Sequence, residues 1–171
     1  MQNIFLYCAF LVAVYMVLLF VIAVINKRND IADVGWGIGF VVVALLSLKF
    51  DAHVRGGFDP RSILITVLVA IWGIRLFVHI YSRYIHRTEE DPRYKAMREK
   101  WGRRVYLWSF LEVFLLQGVL LLLIALPLMY GITTHSVIFP VWLDIMGTAI
   151  WIIGFLFEAV GDKQLRSEEH T

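Results

Sequence analysis

At 171 residues, with 60% apolar and 18% charged side chains, the chain holds more apolar surface than a water-soluble domain of this size can bury, since small domains have too much surface for their volume. A net charge of +2 leaves no electrostatic footprint for nucleic acid, and a single cysteine, Cys8, rules out a disulfide framework or a thiolate metal site. The expected fold class is therefore all-α, a polytopic transmembrane helix bundle.

A bilayer core of about 30 Å needs roughly 20 helical residues. The first stretch of that kind runs over 4–25 without a charge, and it is too long and lacks the preceding basic residues of a cleaved leader. Asp30 and Asp33 come next, with Asp33 a candidate N-cap for a second helix over 34–50. That helix opens Val34-Gly35-Trp36-Gly37-Ile38-Gly39, where Gly35 and Gly39 make a small-xxx-small face for close packing rather than a dinucleotide fingerprint. A third helix is expected over 63–80. It carries Arg75 and His79 four apart on one face, with Trp72 nearby, a face suited to an anionic or carbonyl-bearing ligand or simply snorkelling to the interface.

The polar segment 81–108 follows. Asp91-Pro92 reads as N-cap and first helical residue, and Gly102 as a stop, so a short surface helix is expected over 93–101. A fourth span over 110–130 contains Glu112, placed to complement the helix dipole, and Gln117, deep enough to bond a neighbouring helix. A fifth runs from about Val137, its regular part over 144–162 with Asp144 as N-cap, Pro140 lying before it. Glu158 and Asp162 share one face there, and two like charges so placed repel unless a ligand, proton or cation lies between them. Lysines and arginines divide 11 to 3 between the two sides, which predicts the N-terminus outside and the 81–108 segment in the cytoplasm. No metal-ligand spacing joins His53, His79, His86 and His135, and no nucleophile elbow or P-loop occurs.

The last six residues, Arg166-Ser167-Glu168-Glu169-His170-Thr171, can be written as AGA TCG GAA GAG CAC ACG, the opening of a common sequencing-library adapter. The expectation is that 1–165 is the N-terminal part of a single membrane domain and 166–171 a non-native tail.

As a set these segments resemble a bacterial membrane family of unknown function grouped with the steroid 5-alpha-reductases. The resemblance rests on Asn29-Asp30-Ile31-Ala32-Asp33-Val34-Gly35-Trp36-Gly37, on Trp72-Gly73-Ile74-Arg75-Leu76 with His79, and on Glu90-Asp91-Pro92-Arg93-Tyr94 with Met97-Arg98. It continues in Ser109-Phe110, Val113-Phe114 and Leu116-Gln117-Gly118, and in Gly154-Phe155, Phe157-Glu158-Ala159, Gly161-Asp162 and Gln164-Leu165. By fold-level analogy it implies a bundle of about seven helices, five of them present here, in the bacterial inner membrane. It implies NADPH entering from the cytoplasm and hydride transfer to a carbon–carbon double bond of a lipophilic enone or sterol-like substrate. Arg75, His79, Glu158 and Asp162 would then hold the cofactor, and Asp30 or Asp33 would stand near the catalytic acid. Trp72 stands where animal steroid reductases place a tyrosine, and an indole donates a hydrogen bond without serving as a phenolic acid. The family's C-terminal part, with more of the nucleotide site, is expected to follow Leu165, so this fragment is expected to be inactive. Two other readings stay open: an isoprenylcysteine-type membrane methyltransferase using S-adenosylmethionine, and a non-enzymatic transport or interaction protein. The partners expected are the lipid bilayer and a lipophilic small molecule.

Overall fold

The computed structural model describes residues 2–134 and 141–168. Residues 135–140, which include His135, Val137 and Pro140, and residues 169–171 of the expected tail lie outside the described residues. The chain divides into two compact units, 1–134 and 135–171. Five helices of the described residues are long and apolar enough to cross a membrane, and no strand occurs among them, so the expected all-α membrane bundle is found.

In the first unit, α1 spans Gln2–Asn26, α2 Ile31–Arg55 and α3 Pro60–His86. A short α4, Pro92–Trp101, leads through a single 3-10 turn and α5, Val105–Trp108, into a π-helical stretch, Ser109–Leu115, and α6, Leu116–Thr133. The second unit holds α7, Trp142–Glu168. The helices exceed their expected bounds at both ends because apolarity marks only the membrane-depth middle of a helix, while capping decides where it stops. Helix α2 stops at Gly56, whose φ of 74° reaches the left-handed region. Helix α3 starts at Pro60 because the Asp59 carboxylate accepts from the Arg61 and Ser62 N–H groups, both at 3.1 Å. Helix α4 follows expectation closely: Asp91 caps it, accepting from Arg93 N–H at 3.0 Å, and Gly102 ends it. Asp144 proves not to be the N-cap of α7. It lies inside the first turn and reaches back to accept from the Val141 N–H at 2.9 Å, one half of a capping box.

Helix α2 is the centre of the first unit, packed on α1, α3 and α6. Its neighbours contribute Cys8, Val12, Met16 and Leu19 from one stripe of α1 and Leu121, Ala125 and Met129 from α6, all buried. The outward faces remain apolar, as lipid demands, so water-driven collapse cannot select one helix partner over another; close packing and polar bonds do. The tightest approach is not at the expected pair of glycines. Gly35 and Gly39 meet side chains, Leu19 and Tyr15 for the first and Leu121 for the second. Backbone meets backbone at Gly37 and Gly73, where a Cβ on Gly73 would lie 2.6 Å from the Gly37 carbonyl oxygen. At one end a buried polar bolt joins three helices. Asp51 accepts from Arg55 Nε at 2.7 Å and lies 3.2 Å from Ser62 Oγ, which donates to the Ile132 carbonyl at 2.6 Å.

Candidate functional site

Along the other half of the α2–α3 pair runs a cleft of about 590 Å³. Its walls follow from helical spacing. On α3 and its C-cap, Trp72, Leu76, Ile80, Arg83 and Arg87 recur every three or four residues and so share a face, apolar first and basic last. On α2 and its N-cap, Asp30, Asp33, Trp36 and Phe40 do the same in the opposite order. The antiparallel pair therefore sets aromatic rings at the bottom, with Phe40 edge-on to Trp72 at 5.5 Å, and charges at the mouth. Asp91 and Arg93, at the start of α4, complete that mouth.

The mouth is held in place by Arg28. Its guanidinium forks onto Asp30 at 3.1 and 2.8 Å, donates to the Arg87 carbonyl at 2.9 Å and to the Tyr84 carbonyl at 3.3 Å, and lies 4.1 Å from the Tyr84 ring centre. Those carbonyls belong to the last turn of α3, which lacks helical partners of its own. The hydrogen bond with Asp30 favours the charged guanidinium and raises its pKa further. Asp30 also accepts from the Asp91 N–H at 3.3 Å, and the Asn29 N–H donates to Glu90 at 2.5 Å, so the turn between α3 and α4 is buttoned to the start of α2. Asn29 Nδ2 donates to Ser109 Oγ at 2.9 Å, tying in the π-helical stretch.

Asp33 occupies a different position from the expected N-cap. It lies within α2, and its Oδ1 accepts from the Tyr94 hydroxyl at 2.7 Å, with Gln117 Nε2 at 3.5 Å. Gln117 also donates to the Tyr94 oxygen at 3.1 Å and accepts from Trp36 Nε1 at 2.9 Å, so α2, α4 and α6 meet in one polar chain behind the carboxylate. On the open side Arg93 bonds Asp33 at 3.2 Å with 72% of its side chain exposed, the kind of ion pair that contributes little. Asp30 and Asp33, read as one candidate pair, thus differ: the first anchors the turn, the second faces the cleft.

Two acids of the turn titrate in opposite senses. The Arg93 side chain holds the Asp91 carboxyl below the usual carboxylate range, with burial opposing. Burial raises Glu90 above its ordinary value, against the lowering effect of the Asn29 N–H and Arg98. A raised carboxylate stabilises the fold less as pH climbs from the unfolded pKa to the folded one; a depressed one loses its contribution as pH falls through the folded pKa. We expect Glu90→Gln, which keeps an acceptor for Asn29, to match or exceed the parent's stability at pH 7. It should also lose the pH dependence just above the usual Glu range. Detergent-solubilised thermal unfolding between about pH 4 and 8 measures both, and a large loss at neutral pH would show that the Arg98 pair outweighs the burial.

Of the other candidate residues, Arg75 and His79 are half-buried one helical step round α3 from the cleft-lining stripe and do not line the cleft. Glu158 and Asp162 lie four apart on α7 in the second unit. Sequence reasoning did not single out Arg28 as a clasp, nor Arg83, Arg87 and Tyr94 as site residues. The 72-76-80-83-87 stripe was a signal open to it; nothing local links Asp33 to Tyr94 across 61 residues.

The cleft-lining residues all fall between positions 30 and 124. The pattern of one protein family, described as a protein of unknown function (DUF1295), matches residues 19–169. The chain belongs to the DUF1295 family. The matched stretch contains the whole cleft, the Arg28 clasp and α7, so these are parts of the DUF1295 region itself rather than of the preceding turns of α1. No curated protein and no solved structure matches the chain.

Proposed function

We propose that this DUF1295 protein is a membrane reductase that uses NADPH to reduce a carbon–carbon double bond in a lipophilic enone, with the substrate seated in the α2–α3 cleft. The observation that carries the reading is the position of Asp33. It lines the cleft where aromatic floor gives way to charged mouth, and it is oriented from behind by Tyr94 and Gln117. An enone has the same order of parts, an apolar body and one polar oxygen. Trp36, Phe40 and Trp72 take the body. Asp33 is the general acid that hydrogen-bonds the oxygen, and the weak exposed pair with Arg93 is exchanged as substrate enters. Asp30 plays no part in that step because both its carboxylate oxygens are engaged by the Arg28 fork. The resemblance to steroid 5-alpha-reductases supports the choice of chemistry. Arg75 and His79, two basic groups on one face of α3, fit the phosphates of such a cofactor by donor chemistry, and Glu158 and Asp162 follow from the resemblance. NADPH, when bound, supplies the hydride.

The test uses the product of the whole gene in phosphatidylcholine nanodiscs. NADPH and S-adenosylmethionine are titrated separately, and NADPH oxidation is followed with an alkyl-chain enone. Asp33→Asn is expected to leave NADPH affinity unchanged and to slow turnover by about 100-fold or more, the usual worth of a positioned acid. Affinity for S-adenosylmethionine without affinity for NADPH would replace this reading with a methyltransferase one. Undiminished turnover in Asp33→Asn would remove Asp33 from the chemistry.

A further inference from the structure

The geometry points to a specific kind of occupant for the cleft: an amphiphile whose head group is anionic, a phosphate or carboxylate on an alkyl or isoprenoid body. This deepens the substrate side of the reading above and rests on the cleft being the substrate's seat.

The argument starts from the mouth. Arg87, from the end of α3, and Arg93, from the start of α4, converge on one carboxylate. Asp91 Oδ2 is 3.2 Å from Arg87 Nη1, and Asp91 Oδ1 is 3.0 Å from Arg93 Nε. Their side chains are 42% and 72% exposed, and Arg93 also bonds Asp33 at 3.2 Å through Nη2. A guanidinium carries five N–H donors, and Asp91 takes one from Arg87, so that planar group keeps donors for a phosphate or carboxylate. Arg83 lines the same mouth one turn deeper. With Asp30 taken by Arg28, the mouth of this aromatic-floored cleft is left with Arg83, Arg87 and Arg93 against Asp33 and Asp91, one positive charge in excess, which an anionic head group would match. The length agrees as well: Trp72 to Arg87 is 15 residues, about 22 Å of helix, so the occupant spans several turns between its apolar end and its head.

The experiment uses the same nanodiscs of neutral phosphatidylcholine. Bromine-labelled dodecyl phosphate, dodecanol and dodecyltrimethylammonium are compared at equal mole fraction by quenching of tryptophan fluorescence, with Trp36→Phe and Trp72→Phe variants locating the signal in the cleft. The expected result is that the phosphate binds at least about tenfold more tightly than the alcohol. In the double variant Arg87→Ala/Arg93→Ala that preference should fall below about twofold, with dodecanol binding unchanged. Arg87→Lys/Arg93→Lys, which keeps charge and loses the fork, should recover only part of it. Arg103→Ala/Arg104→Ala, at the exposed 3-10 turn away from the cleft, should leave it intact. Equal binding of phosphate and alcohol, or tighter binding of the cation, overturns the inference. So does loss of the preference in the Arg103/Arg104 variant, which would make it a property of the charged surface. Displacement of dodecyl phosphate by NADPH would give the two arginines to the cofactor and also overturn it, whereas displacement by inorganic phosphate alone would show that the head group suffices. An NADPH titration of the same samples separates the two proposals: a retained head-group preference without NADPH affinity removes the reductase reading and leaves this one standing.

Discussion

Gly73→Ala is expected to lose about 2 kcal/mol of stability, a large fraction of what a domain of this size has to lose. The new methyl would stand 2.6 Å from the Gly37 carbonyl oxygen and 2.7 Å from Val41 Cγ2, and the first of these is backbone, which cannot rotate away. Overpacking of this kind costs about 1–3 kcal/mol, more where nothing can yield. The better helix propensity of alanine returns at most about 1 kcal/mol. Gly37→Ala should behave alike, because its Cβ would run into the Gly73 carbonyl. The double variant should cost clearly less than the sum of the two, since one displacement of α2 from α3 relieves both clashes. Gly57→Ala, where a Cβ meets nothing within 4 Å, serves as the control. Unfolding in mixed micelles reads all four. Strict additivity, or a Gly73→Ala protein as stable as its parent, would show that the two backbones do not touch there.

The second large effect is expected at the bolt on the opposite end. Asp51 is 4% exposed and Ser62 fully buried, and Arg55 keeps only 14% of its side chain open. Asp51→Ala leaves a buried guanidinium with the Thr133 carbonyl at 3.3 Å and Asp59 at 3.9 Å as its remaining partners. Removing one member of a buried pair costs about 3–5 kcal/mol, and Asp59 places this case at the low end, about 3. Replacing both partners by apolar residues, as in Asp51→Leu/Arg55→Met, should restore much of the loss, because it removes the stranded charge as well as the bond. If the single variant is as stable as the double, Arg55 finds solvent easily and the bolt is ornamental. The site half of the molecule provides an internal reference, since the Asp33–Tyr94–Gln117 chain lies at the other end of the same helices and its integrity can be followed by Trp36 fluorescence.

Some of this molecule is dictated locally and therefore legible from residues alone. Spans of about 20 apolar residues can only be helices in lipid, where every backbone polar group must find its partner within the segment. Hence the five helices, their order and the all-α class could be read directly. The ends of α4 were equally plain, because Asp91-Pro92 and Gly102 act on their own neighbours. Membership of a cleft-lining helix face was harder. The α3 stripe from Trp72 to Arg87 is periodic in the sequence, yet nothing in it says that this face, rather than the one bearing Arg75 and His79, borders a cleft. That depends on which way α3 is turned against α2, and the turn is set by the contact of Gly37 with Gly73, two residues 36 positions apart. The same holds for the two aspartates. Asp30 and Asp33 have near-identical surroundings in sequence. Arg28 stands two residues from Asp30, but only folding brings the α3–α4 turn to the first, and Tyr94 and Gln117 to the second. What the sequence by itself determined is the set of helices, since backbone hydrogen bonding and caps act over a few residues. What the tertiary structure alone decided is which faces meet, since in lipid that choice is made by close contact and by polar partners far apart in the chain.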